Sequence, residues 1–128
     1  MLFADVDHFK AINDNFGHHV GDRVLATVAR TLASNVRASD VVSRWGGEEF
    51  VALLGNVDAL RLDALADKLR QLVATSSVTV TDRNLRVTVS IGATLMRIDD
   101  NPATLIARAD RLMYESKQGG RNRVTCET

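Results

Sequence analysis

Residues 41–54 of the chain, VVSRWGGEEFVALL, place a pair of glycines between two apolar segments. Adjacent glycines supply the backbone freedom that a tight turn demands, and the flanking segments are rich in residues that favour strands. The stretch therefore predicts a β-hairpin with strands at 41–45 and 50–54. Glu48 and Glu49 follow the glycines at the hairpin tip, where an ordinary polar turn would also explain them.

Strand and helix patterns alternate on both sides of this hairpin. Short apolar runs predict strands at 1–6, 77–81, 85–91 and 123–126, with a turn at 82–84. Apolar residues that recur every three to four positions predict helices at 9–16, 22–35, 58–74 and 102–118. Asn101 and Pro102 suit a helix start, and Asp22 is expected to cap the second helix on propensity alone. Helices set against a largely antiparallel sheet predict an α+β fold of the ferredoxin or polymerase-palm kind.

The composition indicates one folded domain of the soluble globular type. Of 128 residues, 45% are apolar and 25% charged, proportions that exclude disordered and collagen-like chains. No apolar run approaches the roughly 20 residues of a membrane span. Sixteen basic and sixteen acidic residues cancel, which argues against a grip on long nucleic acid. The single Cys126 has no disulfide partner, which suits a cytoplasmic location.

Two carboxylates end the first predicted strand. Asp5 and Asp7 would point to the same side of an extended chain, and such a pair suits a hard cation such as Mg²⁺. Two solvated acids at a strand end are the simpler alternative. If the hairpin lies beside this strand, Glu48 would bring a third carboxylate and complete a metal site.

Four further groups of residues could bind a ligand or have an ordinary structural role. The turn at His8 and Phe9 joins a strand to a helix, where free N–H groups and Lys10 could bind phosphate. Lys117 and Arg121 flank two glycines, although cations near a helix C-terminus are common. The adjacent His18 and His19 rarely suit one metal ion. Arg37 and Asp40 could form an ordinary ion pair three residues apart on a helix.

Four segments, taken together and in this order, resemble the GGDEF-domain diguanylate cyclases of bacteria. They are FADVDHFKAINDNFGHHVGD at 3–22, RASDVVSRWGGEEF at 37–50, VTVSIG at 87–92 and ARADRLMYESKQGGRNRV at 107–124. The resemblance implies a palm-like, mostly antiparallel sheet with helices packed around it. It implies an enzyme that condenses two GTP into cyclic di-GMP with release of two pyrophosphates. Because family members usually carry one more helix before the first strand, we expect residues 1–128 to form a GGDEF domain without that helix.

The resemblance also implies a role for individual residues. It gives Mg²⁺, with Mn²⁺ as an alternative, to Asp5, Val6, Glu48, Asp7 and Glu49, of which Asp5 and Glu48 are catalytic. It gives the guanine edge to Asn13 and Asp22, and the triphosphate to Lys10, Lys117, Arg121 and the N–H groups of His8 and Phe9, with Arg44 as a supporting cation. It makes Arg37 and Asp40 half of an inhibitory site for the product. Turnover would need a homodimer, without contact to nucleic acid or membrane.

Two other functions fit parts of the pattern. A catalytically silent module of this family could sense GTP or cyclic di-GMP through the same residues. A nucleic-acid polymerase palm also places acids at strand ends around a metal, but the neutral charge of this chain disfavours it.

Overall fold

The computed structural model describes all 128 residues and has an α+β architecture. Its elements are β1 (Leu2–Val6), α1 (Phe9–Phe16), α2 (His18–Ala33), β2 (Val41–Arg44), β3 (Glu49–Leu53), α3 (Ala59–Thr75), β4 (Val78–Val80), β5 (Arg83–Leu85), β6 (Val89–Thr94), α4 (Pro102–Gln118) and β7 (Val124–Glu127). The hairpin at the glycine pair is present as predicted, and so is the Asn101 cap with Pro102 at the start of α4. The structure adds a cap that was not predicted, because the Asp58 side chain accepts from the Arg61 N–H at the start of α3. No helix combines the length and the apolar character that crossing a membrane requires.

The main sheet is mostly antiparallel and has β1 at its centre. Its strand order is β2-β3-β1-β6-β7, in which only β6 and β7 run parallel. The central strand pairs with β3 on one side and β6 on the other, so Asp5 lies opposite Glu49 and Ser90. The carboxyl end of β1 is therefore flanked by the hairpin tip and by the first residues of β6.

Helices cover both faces of this sheet, because successive residues of β1 point in opposite directions. Leu2, Ala4 and Val6 enter a core of 19 buried residues that includes residues of α2 and α3. Phe3 faces the other way and packs with Ala109 and Met113 of α4 in a smaller cluster. The sheet therefore lies between layers of helices, and the end of the sheet at which β1 finishes, near Asp5, is where polar groups collect.

The second helix begins four residues earlier than predicted. It starts at His18 after Gly17, whose φ of 89° ends α1 and redirects the chain. Buried Val20 extends the apolar stripe of Val24 and Val28 back by one turn, which explains the longer helix. The prediction that Asp22 caps the helix is wrong, because Asp22 lies inside it.

The predicted strand at 85–91 is divided into two. Arg83–Leu85 pairs with Val78–Val80 in a separate two-stranded sheet, and the main sheet receives only Val89–Thr94. The predicted turn at 82–84 is wrong as well. The hairpin turns at Thr81 and Asp82, where Thr81 has a φ of 55°, a left-handed conformation that suits two-residue hairpin turns.

Candidate active site

The end of β1 and the glycine hairpin lie side by side, as the sequence predicted. Asp5 is the register partner of Glu49, and the Val6 N–H donates to the Glu48 carbonyl over 3.1 Å. This pairing fixes the backbone of both acidic segments with respect to each other. It brings the carboxylates of Asp5, Glu48 and Glu49 to one edge of the sheet.

Arg44 shapes the glycine turn. Its Nε lies 3.2 Å from the Gly46 carbonyl and 3.0 Å from the Gly47 carbonyl, and its Nη2 donates to the latter over 2.7 Å. A Cβ on Gly46 would come within 2.7 Å of Glu49 Oε1, so the Glu49 carboxylate lies close over the turn. Arg44 is therefore committed to the loop that presents Glu48, whereas a direct contact with phosphate stays a prediction.

Asp7 is a buried carboxylate with both oxygens occupied by protein donors. Oδ1 accepts from the Ser90 hydroxyl at 2.6 Å and lies 3.4 Å from Lys117 Nζ. Oδ2 accepts from the Thr88 hydroxyl at 2.7 Å and from the Asn122 N–H at 3.0 Å. Metal ligation by Asp7 stays a prediction, and it would require these donors to give way.

Asp5 is the opposite case. Its Oδ1 is buried without an aligned hydrogen-bond donor, although Lys117 Nζ lies 2.8 Å away as an ion pair. Burial raises the pKa of the Asp5 carboxyl, Lys117 opposes the rise, and the carboxylates of Glu48 and Asp7 add to it. A buried carboxylate oxygen that lies among other acids and is paired only with one lysine is an arrangement that a hard cation relieves.

The other carboxylates near Asp5 repel one another, which makes it costly for all of them to be ionised. Burial raises the pKa of the Glu49 carboxyl, and the neighbouring carboxylates of Asp5, Asp110 and Glu48 raise it further. No three His, Cys, Asp or Glu side chains form a ready-made metal cluster. The donor set therefore fits a divalent cation that takes the rest of its oxygen ligands from a bound phosphate or from water.

The segment after β1 presents free backbone N–H groups. His8 precedes α1 with a left-handed φ of 56°, and no side chain caps that helix. The first N–H groups of a helix have no partner within it, and they favour anions. Lys10 is exposed in the first turn of the helix. Across the site, Arg121 and Asn122 are both left-handed, and the Asn122 N–H joins this loop to Asp7.

A groove beside α2 is the candidate base site. It has a volume of about 460 Å³ and is lined mostly by apolar side chains, with Asp22 and Arg44 as its charged members. Asn13, the other predicted guanine contact, is half-buried on α1 and does not line this groove. Its Oδ1 is buried without a hydrogen-bond partner and lies against Gly21, the residue before Asp22.

Arg37 and Asp40 form a turn and not a helical ion pair. Asp40 Oδ2 accepts from the Arg37 N–H, and Oδ1 accepts from the Gly55 N–H, each over 2.9 Å. The Gly55 N–H is the main cause that lowers the pKa of the Asp40 carboxyl. The ordinary ion-pair interpretation is wrong, since the Arg37 guanidinium has no partner and is exposed. Asp40 holds the turn, and Arg37 is left available.

The remaining sequence candidates are simpler. His18 and His19 are exposed in the first turn of α2, and no metal cluster forms there.

Sequence reasoning missed the donors that hold Asp7. Thr88 and Ser90 alternate along one strand segment, which could have indicated a shared face, but Asn122 carried no signal of its own.

Comparison with known proteins points to the same family as the sequence motifs. The family model described as the diguanylate cyclase GGDEF domain matches residues 1–123, so this chain belongs to the GGDEF family. Diguanylate cyclase A of Treponema denticola is 42% identical over 126 residues, covering 98% of this chain and 34% of that protein. Response regulator PleD of Caulobacter vibrioides is 46% identical over 129 residues, covering 96% of this chain and 28% of that protein. The chain thus spans about a third of the length of such relatives.

Solved structures confirm the palm-like α+β fold. Diguanylate cyclase SiaD of Pseudomonas aeruginosa, in complex with its activator SiaC, has a TM-score of 0.94 and 37% identity, covering 98% of this chain and 48% of that chain. The GGDEF domain of DgcB from Caulobacter crescentus, in complex with c-di-GMP, has a TM-score of 0.93 and 32% identity, covering 98% of this chain and 75% of that chain.

Proposed function

We propose that this domain is a diguanylate cyclase that condenses two GTP into cyclic di-GMP with release of two pyrophosphates. One observation carries the proposal: the buried Asp5 Oδ1, paired only with Lys117, lies at the strand end that pairs with the glycine hairpin of Glu48 and Glu49. A module that only binds cyclic di-GMP through Arg37 and Asp40 would have no need to keep an acidic edge at this cost. Family membership supports the same chemistry.

Each group of residues has a separate task in this proposal. The free N–H groups at His8 and Phe9, together with Lys10 and Arg121, hold the triphosphate by charge and hydrogen bonds. Lys117 exchanges part of its pairing with Asp5 for the phosphate oxygens. Asp22 accepts from the N1–H and N2–H₂ edge of guanine, where adenine offers no matching pair of donors.

Asp5, the Val6 carbonyl and Glu48 are the proposed ligands of Mg²⁺ or Mn²⁺, and Glu49 is a further carboxylate within the same group. When bound, such a cation stabilises negative charge on the phosphates that are being exchanged. Glu48 is also placed to accept the proton of the attacking 3′-hydroxyl or to orient the group that does. Arg44 contributes by holding the turn that carries Glu48.

The reaction needs two copies of the domain. Each domain binds one GTP, so the 3′-hydroxyl of one nucleotide must meet the α-phosphate of the other across a symmetric encounter. The exposed Arg37 and the turn held by Asp40 form the proposed half of an inhibitory site for cyclic di-GMP. A planar guanidinium suits both phosphate and guanine. Adding cyclic di-GMP to the activity assay tests this role, because the Arg37→Ala variant should no longer be inhibited.

The deciding experiment is incubation with GTP and Mg²⁺ followed by chromatographic identification of the products. Cyclic di-GMP and pyrophosphate are expected from the wild type at high protein concentration, and Glu48→Gln should lower turnover by at least about a hundredfold. Glu115→Gln is the matched control, since Glu115 is exposed and pairs only with Arg111. GTP binding without any product would identify a sensing module instead, and full activity of Glu48→Gln would refute the assigned site.

A further inference from the structure

Gly21 occupies a position where glycine is costly unless space requires it. It is buried in the first turns of α2, and glycine within a helix is less favourable than alanine by about 1 kcal/mol. A Cβ added there would overlap Asn13 Oδ1, would lie 3.0 Å from Asn13 Cγ, and would lie 3.2 Å from Phe9 Cζ. The missing Cβ is therefore the space that the Asn13 side chain uses.

The Asn13 side chain lies against Gly21 and makes no hydrogen bond through its amide oxygen. Its Oδ1 is buried without a donor, which costs free energy relative to an amide that is free in water. Because the amide oxygen of Asn13 is enclosed in this way, we infer that the amide NH₂ is the polar group that remains for contact with a ligand. Gly21 is also the chain neighbour of Asp22, one of the two charged residues that line the groove.

We propose that Gly21 is a positioning residue for nucleobase selection, because its lack of a side chain fixes the Asn13 amide for contact with the base. This inference rests on the proposed function, in which Asp22 contacts the guanine edge, and on the prediction from the family resemblance that Asn13 contacts the same edge. An amide NH₂ donates well to the O6 carbonyl of guanine, whereas adenine carries an amino donor at the same position. A Cβ at residue 21 pushes Asn13 away and removes that discrimination.

The first test measures base selectivity without catalysis. GDP and ADP differ in the base and not in the phosphates, so calorimetric titration of each compares the base contact alone. We expect the wild type to prefer GDP, and Gly21→Ala to lose about tenfold or more in GDP affinity with unchanged ADP affinity. Gly55→Ala is the matched control, because a Cβ at Gly55 meets no atom within 4 Å.

The second test asks whether Gly21 acts through Asn13. Gly21→Ala should lower the Tm of the wild type, whereas in an Asn13→Ala background the same change should raise the Tm, because alanine then enters a vacated space in a helix. GDP affinity should be equal in Asn13→Ala and in the double variant. The comparison of Asn13→Ala with the double variant involves no protein with the overlap, so it decides the question even if Gly21→Ala alone does not fold.

The outcomes separate this inference from the proposed function. Wild-type protein that binds GDP and ADP equally would overturn the base site itself and the inference with it. A GDP preference that survives Gly21→Ala, or equal losses for both nucleotides, would overturn the inference alone. A Tm that falls in the Asn13→Ala background would show that the glycine serves other neighbours, and would overturn it as well.

Discussion

Asp5 and Asp7 stand two residues apart and have opposite surroundings. Asp7 accepts hydrogen bonds at both oxygens from groups of β6, the segment before it and the loop after α4. Asp5 keeps a buried oxygen without an aligned donor and faces Lys117. At the scale of single residues, the neighbours and not the spacing decide which carboxylate is left for a ligand.

Asp7→Asn should destabilise the protein strongly. The amide NH₂ of asparagine would face donors on one side of the buried site, and the Lys117 ammonium would lose part of its counter-charge. We expect the free energy of unfolding to fall by about 2–4 kcal/mol, measured by urea denaturation. Thr88→Val removes one donor only and should cost about 1 kcal/mol. An Asp7→Asn loss no larger than that of Thr88→Val would contradict the role of Asp7 as a shared acceptor.

Sequence spacing predicted where these two acids lie but not how they differ. The donors to Asp7 come from Thr88, Ser90 and Asn122, which are 81, 83 and 115 residues away along the chain. Only the folded sheet brings them together, and a serine or threonine alone is a common strand residue. The need for glycine at position 21 is also hidden from the sequence, because it depends on the Asn13 side chain on another helix.

At the scale of elements, α4 connects the site to the sheet by unusually close packing. A Cβ on Gly92 of β6 would overlap the Ala109 carbonyl and the Met113 N–H of α4, and would lie 2.8 Å from the Leu112 carbonyl carbon. The glycine lets the helix backbone approach the strand. Lys117 lies in the last turn of the same helix. The close approach of α4 to Gly92 therefore helps to set the distance between the Lys117 ammonium and Asp5.

The start of α4 is fixed by an ion pair with a definite pH dependence. Arg108 donates to Asp100 Oδ1 over 2.9 Å and to Oδ2 over 2.6 Å, and this pairing, with the Arg97 N–H, holds the pKa of the Asp100 carboxyl well below its ordinary value. A lowered carboxyl pKa stabilises the fold above the unfolded pKa of about 4, and the contribution is lost as pH falls further.

Asp100→Asn should therefore have a lower Tm than the wild type at pH 7, and the difference should shrink as the pH is lowered below about 4. Thermal unfolding followed by circular dichroism between pH 7 and pH 2 measures this. Asp99→Asn is the matched control, because Asp99 is exposed and accepts no hydrogen bond. A Tm difference that stays constant with pH, or one that Asp99→Asn reproduces, would show that the charge of Asp100 is not responsible.

Element boundaries were predictable where local chemistry marks them. Asp58, Asn101 and Pro102 signal helix starts through capping and fixed φ, and both helices begin there. The start of α2 was not marked in this way, because Gly17 offers no side-chain cap and the two histidines have weak preferences. The division between β5 and β6 depends on which strand each segment pairs with, and this is decided by tertiary contacts.

At the scale of the whole molecule, the sheet brings together acids from distant parts of the chain at a single edge, with cations from both ends of the sequence. In the proposed function each domain binds one nucleoside triphosphate, and the condensation consumes two. The product requires two bonds between two nucleotides, so the proposal makes one domain half of a catalytic unit. The activity of the chain should then depend on how often two copies meet.

Turnover per domain should rise with protein concentration. If dimers are rare, the initial rate at saturating GTP should follow the square of the concentration, and cyclic di-GMP can be quantified by chromatography to measure it. A two-stranded coiled coil joined by a flexible Gly/Ser linker should raise turnover at low concentration by about a hundredfold or more, since tethering gives effective concentrations near the millimolar range. A helix of equal length that cannot dimerise controls for the added segment. Turnover per domain that is independent of both concentration and tethering would contradict a two-copy reaction, because one domain would then be sufficient for both bonds.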